Sequence, residues 1–322
     1  MKHILVTGAV GQIGSELTMA LRERYGASRV IATDVRMPQD VHLRDAGPFE
    51  FLDALDPHHI TRVLQIYPVE RIYHLAAVLS FVGESMPGQA WRINVNGLYN
   101  MLEAARQYHC SLFFPSSIGA FGGQTPKTLT PQDTIQRPTT MYGVTKVAGE
   151  LICDYYHQRF GLDTRGVRFP GLISYETVPG GGTTDYAVDI FYHAFEHKKY
   201  TCYLEPDTRL DMMYMPDALR AMIELMEADP TRLIHRNAFN ITAMNFTPAE
   251  LAAESRKHIP SFVIDYKVDP VRQAIADSWP DSLDDSCAQA EWGWTPRYTL
   301  AAMVEDMLKK IEERSQAPTH RR

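Results

Sequence analysis

The sequence predicts an α/β protein, a doubly wound parallel sheet followed by a smaller, mostly helical C-terminal substrate lobe. Two observations predict it. Apolar runs of strand length alternate with amphipathic runs of helix length through the first half. The strand runs are continuously apolar, the pattern of strands buried on both faces and joined by right-handed helical crossovers.

The elements follow in order. HILVT (3–7) precedes a helix over 12–25, and RVIAT (29–33) makes the second strand. FEFL (49–52) leads to a helix over 57–67, RIYHL (71–75) to 88–108, SLFFP (111–115) to 142–160, and TRGVRF (164–169) is the sixth strand. After about residue 170 the pattern loosens, with prolines at 179, 206, 216, 230, 248, 260, 270, 280 and 296 and short helices over 216–227, 247–257 and 299–314. This gives a nucleotide-binding domain over 1–170, joined by some later segments, a substrate lobe over 171–315, and a frayed tail over 316–322.

The chain has 322 residues, 45% of them hydrophobic, and a formal charge of −7. That length can bury a large core, and the acidic balance argues against nucleic acid, which needs a basic face. Small-molecule chemistry is the reading that remains. Cys110, Cys153, Cys202 and Cys287 lie far apart with no CxxC and no Cys/His pair at ligand spacing, so no metal and no disulfide framework is expected. MKHILVTG runs straight into a strand, and no apolar run reaches the ~18 residues of a membrane span. A cytoplasmic protein without a membrane partner is the expectation.

Thr7-Gly8-Ala9-Val10-Gly11-Gln12-Ile13-Gly14 closes the first strand and opens the first helix. In that context the glycines read as a Rossmann fingerprint: a tight turn, a close approach to pyrophosphate, and close helix packing, with the helix N-terminus facing the phosphates. Asp34 follows the second strand, with Val35 and Arg36 after it. A carboxylate there accepts from ribose hydroxyls and repels a 2′-phosphate, favouring NAD, while Arg36 argues for NADP. Asp53 and Ala54 after the third strand, and Leu75, Ala76 and Ala77 after the fourth, are further cofactor candidates against ordinary packing.

Tyr142-Gly-Val-Thr-Lys146 opens the long segment 142–160, so phenol and ammonium share one helix face. Removing a hydride from an alcohol requires that its proton leave too. A phenol beside an ammonium is expected to have a lowered pKa suited to that task. Ser116 and Ser117 end the fifth strand, where a hydroxyl can meet the substrate oxygen.

Together, Thr7-Gly8-x-x-Gly11-x-x-Gly14, Asp34, Asn94-Val95-Asn96-Gly97, Ser116-Ser117, Tyr142-x-x-x-Lys146 and Arg168-Phe169-Pro170-Gly171 resemble the extended short-chain dehydrogenase/reductase superfamily over nearly the whole chain. Within it, Ala77 to Glu84, Ile118 to Gly122, Ile135 to Pro138, PGGGTTDYAV (179–188), Thr208 to Leu210 with Met212 to Tyr214, and Asp269 to Pro280 resemble the short-chain-type L-threonine 3-dehydrogenases. The resemblance implies NAD as cofactor, no metal, and L-threonine as the small-molecule substrate. It also implies Tyr142 as general base, Lys146 on the nicotinamide ribose, Ser117 with Ser116 at the substrate hydroxyl, Asn94 as a brace or relay, and Pro170 and Leu172 beside the nicotinamide. Ser80, Thr183, Thr184 and Trp279 become substrate contacts, and helices 88–108 and 142–160 the seam of a homodimer.

The nucleotide-sugar members carry an arginine seven residues before a final aspartate, within a run containing His-Val. Here Arg209 stands eight before Asp217 and the His-Val is missing. A nucleotide-sugar epimerase or dehydratase and a non-catalytic NAD sensor remain the other readings. The triple glycine of PGGGTTDY reads as a backbone-donor loop over an amino-acid carboxylate, with Gly180, Thr183 and Thr184 as contacts, or as a plain connector. His74, at the end of the fourth strand, reads as a hydrogen-bonded structural residue ahead of a cofactor contact.

Overall fold

The computed structural model describes residues 2–176 and 182–316. Six strand runs form β1 (His3–Thr7), β2 (Val30–Asp34), β3 (Phe49–Phe51), β4 (Val69–His74), β5 (Ser111–Ser117) and β6 (Thr164–Phe169). Beyond them lie β7 (Gly171–Ile173), β8 (Lys199–Cys202), β9 (Leu210–Tyr214), β10 (Phe239–Asn240), β11 (Met244–Phe246) and β12 (Val263–Tyr266).

The central sheet has seven strands in the order β3-β2-β1-β4-β5-β6-β10, every neighbouring pair parallel. Strand order reverses between β1 and β4, which opens a crevice at their carboxyl ends. Side chains alternate between two buried faces. Ile4, Val6, Val30, Ala32, Tyr73 and Phe113 pack with Leu17 and Leu21 of helix Gln12–Tyr25 and Met222 and Leu225 of helix Met215–Glu227. Leu5, Ile31, Ile72, Leu112 and Phe114 face Leu98, Met101 and Leu102 of helix Gly97–Tyr108 and Cys153 and Tyr156 of helix Met141–Phe160. Both faces are covered, so the strands read as continuous apolar runs.

The later part holds more strand than a mostly helical reading foresees. β11-β9-β7 form one small sheet and β12-β8 another, while β10 joins the edge of the central sheet. Strands of two to five residues carry too little periodicity to separate from loops. A third core, including Tyr186, Phe191, Leu210, Met212, Phe246, Leu251, Met303 and Met307, packs these sheets against helices Tyr186–His197, Pro248–His258 and Leu300–Gln316.

The run read as one helix over 88–108 is Pro87–Trp91, a π-helical turn Arg92–Asn96, and Gly97–Tyr108. The wide turn holds Asn94, which grips the opposite loop: its Oδ1 accepts from the Val78 amide at 2.7 Å, and its Nδ2 donates to the Val78 carbonyl and to Thr145 Oγ1, each at 3.0 Å. No helix among the described residues is long and apolar enough to cross a membrane.

Candidate active site

A cleft of about 760 Å³ runs from the first glycine turn, across the carboxyl ends of β1, β4 and β5, to β7 and Trp279. At one end Gly8, Gly11, Gln12, Ile13 and Gly14 line it, with Arg36 at the rim. Gly8 has φ of +68°, and a Cβ there would lie 2.7 Å from the Ala76 amide nitrogen. The position therefore excludes a side chain twice over, by handedness and by the backbone after β4. Helix Gln12–Tyr25 starts at this turn, so its unpaired amides face the cleft.

Asp34 is buried behind the turn. Its Oδ2 accepts from the Val10 amide and its Oδ1 from the Arg36 amide, each at 3.0 Å. Arg36 Nε lies 3.5 Å from Asp34 Oδ1 while two thirds of its side chain remains exposed. The carboxylate thus braces the turn and engages the Arg36 guanidinium.

Tyr142 stands in the first turn of helix Met141–Phe160, whose start Thr140 caps by accepting from the Gly143 amide at 3.1 Å. The phenol meets the Ser117 hydroxyl, and Ser117 Oγ accepts from the Gly119 amide at 3.1 Å. Burial pushes the phenol up to about 12, with the Ser117 hydrogen bond pulling the other way. This corrects the expectation of a lowered pKa, because desolvation of the phenolate is the larger effect. Lys146 donates to the Pro115 carbonyl at 2.6 Å and lies 5.3 Å from the Tyr142 ring centre. Burial pulls its ammonium down to about 8, opposed by the charge of Glu150.

The two serines diverge. Ser117 faces Tyr142, whereas Ser116 donates to Glu150, a buried carboxylate also held by Arg168 at 2.9 Å and by Gln136 at 2.7 Å. Through Glu150 the Ser116 hydroxyl ties β5, and Arg168 ties β6, to the long helix, and Ser116 also lines the cleft.

At the other end, Ser80, Thr183, Thr184 and Trp279 line the cleft, with Pro170 and Leu172 on the wall between. Thr183–Asp185 forms a 3-10 turn leading into helix Tyr186–His197. Thr184 reaches its place because residue 171 is glycine: a Cβ there would lie 2.7 Å from Thr184 Cγ2. Gly180 lies outside the described residues.

Leu75 and Ala77 also line the cleft. Thr7, Asp34, Val35, Asp53, Ala54, Ala76 and Asn94 do not. Thr7 Oγ1 pairs with His74 Nδ1 at 2.8 Å beneath the turn, and burial pulls His74 down to about 3, so its ring is neutral. Asp53 accepts from the Leu55 amide at 2.9 Å, a local turn, and Ala54 packs against Gly97. Gly182, the last of the triple glycine, lines the cleft, with its amide donating to Asp185 Oδ2 at 2.7 Å; Val10, Val78, Leu79, Val82, Gln89, Ile93, Ile118, Phe169, Gly171 and Asp185 line it without having been singled out for it. Gln89 and Ile93 stand one turn apart on a helical segment, a spacing that could have signalled a shared face. Arg209 is tied to Glu250 at 2.6 Å and lines a separate polar cleft of about 260 Å³.

The crevice, the glycine turn and the Tyr-Lys-Ser grouping define a dinucleotide-dependent enzyme on a Rossmann sheet. Residues 4–242 match the NAD dependent epimerase/dehydratase family, and the chain belongs to that family. A solved L-threonine dehydrogenase of Clostridium difficile is similar to it with a TM-score of 0.96 and 58% identity, over 98% of each chain. A monomeric L-threonine 3-dehydrogenase from a metagenome matches with a TM-score of 0.93 and 44% identity, over 97% of this chain and 100% of that one. An uncharacterized epimerase/dehydratase of Staphylococcus haemolyticus is 54% identical over 316 residues, 98% of this chain and 99% of its own. Family and neighbours make the chain an NAD-dependent oxidoreductase.

Proposed function

We propose that the chain oxidises L-threonine at C3 with NAD, giving 2-amino-3-oxobutanoate, NADH and a proton. The observation that carries this reading is the far end of the cleft: the hydroxyl residues Ser80, Thr183 and Thr184 line it with Trp279, while Arg209 is held by Glu250 elsewhere. A nucleotide-sugar substrate needs a cation for its phosphates. The likeness to solved L-threonine dehydrogenases supports the same choice.

The residues present fit a dinucleotide. The side-chain-free cradle at Gly8, the amides of helix Gln12–Tyr25 and the Asp34 carboxylate suit pyrophosphate and adenosine ribose. Leu75, Ala77, Pro170 and Leu172 suit the flat nicotinamide, and Lys146 its ribose. When bound, NAD supplies the acceptor for the C3 hydride. Ser117 holds the substrate oxygen, and Tyr142 takes the hydroxyl proton. Thr183, Thr184 and Ser80 hold the zwitterion, and Trp279 closes the space around its methyl group. Residues 1–170, joined by β10 and helix Met215–Glu227, hold the cofactor, and the rest of 171–315 supplies the substrate lobe.

The product is a β-keto acid, prone to lose carbon dioxide to aminoacetone or to be cleaved toward glycine, so the reaction belongs to threonine catabolism in the cytoplasm. The functional unit is a homodimer through segments 88–108 and 142–160, where Trp91, Tyr99, Leu151, Tyr155 and Phe160 are exposed. The test is NADH formation with L-threonine, L-serine, L-allo-threonine and 3-hydroxybutyrate, alongside turnover of UDP-glucose. Preference for L-threonine supports the reading; turnover of UDP-glucose alone overturns it.

A further inference from the structure

At the N-terminal end of β10, outside the cleft, the fold gathers ligand types that sequence spacing keeps apart. His235, Cys287 and Glu291 place one ligand atom each within 4.8 Å of one another. Cys287 and Glu291 are one turn apart on helix Ser286–Trp292, so both side chains project from one face. Cys287 is also the only one of the four cysteines that is not fully buried.

The donor atoms are oriented as well as near. Glu291 Oε2 accepts from the backbone amides of Ile234 at 2.5 Å and His235 at 3.1 Å, which fixes the carboxylate and turns Oε1 toward His235 Nδ1. The other ring nitrogen, Nε2, lies 3.4 Å from Asp133 Oδ2. A histidine whose second nitrogen faces a carboxylate is the arrangement that holds metal-binding imidazoles in one tautomer.

From this geometry we propose that His235 Nδ1, Cys287 Sγ and Glu291 Oε1 form a binding site for a zinc-class divalent cation, with Asp133 as a positioning residue. A mixed nitrogen, thiolate and carboxylate set selects zinc over magnesium or calcium, which take oxygen ligands. The cation displaces the hydrogen between His235 Nδ1 and Glu291 Oε1, which passes to Nε2 facing Asp133, and the Cys287 thiol proton leaves to solvent. Cys287 and His235 are partly exposed, which leaves the fourth position to water. Bound there, the cation joins the segment before β10 to helix Ser286–Trp292 and acts on stability, since none of these residues lines the cleft.

The test uses the untagged full-length chain, stripped with EDTA and titrated with zinc alone against a chromophoric chelator, with cobalt titrated in parallel. The expected result is one zinc per chain, a saturable rise in Tm, and a thiolate-to-cobalt charge-transfer band. Cys287→Ser and His235→Ala abolish all three, Cys287→Ser while keeping the wild-type Tm in EDTA, and Asp133→Asn weakens affinity about 10- to 100-fold. No stoichiometric zinc in the wild type overturns the site. Undiminished binding in Cys287→Ser, or a cobalt spectrum without the thiolate band, overturns it equally.

Discussion

Lys146 lies one helical turn beyond Tyr142 with its ammonium 5.3 Å from the centre of the phenol ring, while its hydrogen bond goes to the Pro115 carbonyl. The cation is held against the end of β5, close enough to act on the ring through its field. In the buried site, loss of hydration raises the phenol and lowers the ammonium, so neither group is activated by the other alone. In the proposed reaction, a substrate oxygen hydrogen-bonded to Ser117 and the positive charge of oxidised nicotinamide would be the further stabilisers of a Tyr142 phenolate.

If Tyr142 is the base, Tyr142→Phe lowers kcat by about 10²- to 10⁴-fold, the usual worth of a positioned proton acceptor. Steady-state NADH formation reads that loss, and NAD binding followed by fluorescence stays at the wild-type value. A variant retaining wild-type kcat removes Tyr142 from the chemistry.

Asp34→Ser tests cofactor choice. Loss of a charged acceptor worth about 1.5–3 kcal/mol lowers kcat/KM for NAD about 10- to 100-fold and frees Arg36 to meet a 2′-phosphate, so the NADP/NAD ratio rises. Kinetics with both cofactors measure it. An unchanged ratio contradicts the assignment.

Glu16, which meets the Ser174 hydroxyl, is raised from the usual carboxylate range to about 7, chiefly by burial, with Ser174 pulling down and Glu176 pushing up. Between about 4.5 and 7 the folded state binds this proton more tightly than the unfolded chain. Its contribution is therefore fully present below the lower value and is lost as pH rises through the upper. Glu16→Gln keeps a hydrogen bond to Ser174 without the ionisation, so its stability relative to wild type grows by a few kcal/mol from pH ~5 to pH ~8. Paired urea melts of both proteins isolate this from Asp211, whose buried carboxyl is likewise raised to about 7, and from His74, since both titrate alike in each. A constant difference across that range contradicts it.

Leu151 and Tyr155 stand one turn apart and exposed on helix Met141–Phe160. Leu151→Arg is expected to convert a dimer to monomers in sedimentation while leaving the fold intact. A wild-type chain that sediments as a monomer at all concentrations contradicts the proposed seam.

The nucleotide half was legible because its signals are dense and local. Glycine spacing at a strand end, Asp34 at the end of β2, and Tyr142 and Lys146 at one turn's distance each carry chemistry within a few residues. What the sequence hid was set by burial and by distant contacts. Nothing near Asp53 tells that its carboxylate is used by the Leu55 amide, or that Ser116 serves Glu150 while Ser117 serves Tyr142. The direction of the Tyr142 shift depends on desolvation, which no spacing reports. The grouping of His235, Cys287 and Glu291 needs the fold itself to bring two segments more than fifty residues apart together.

The most direct measurement supplies L-threonine carrying deuterium at C3 together with NAD, and reads the reduced cofactor by mass spectrometry. The account predicts one deuterium in each NADH formed and 2-amino-3-oxobutanoate, or aminoacetone from its decarboxylation, in equal amount. Absence of NADH with L-threonine, or NADH without the label, would contradict it.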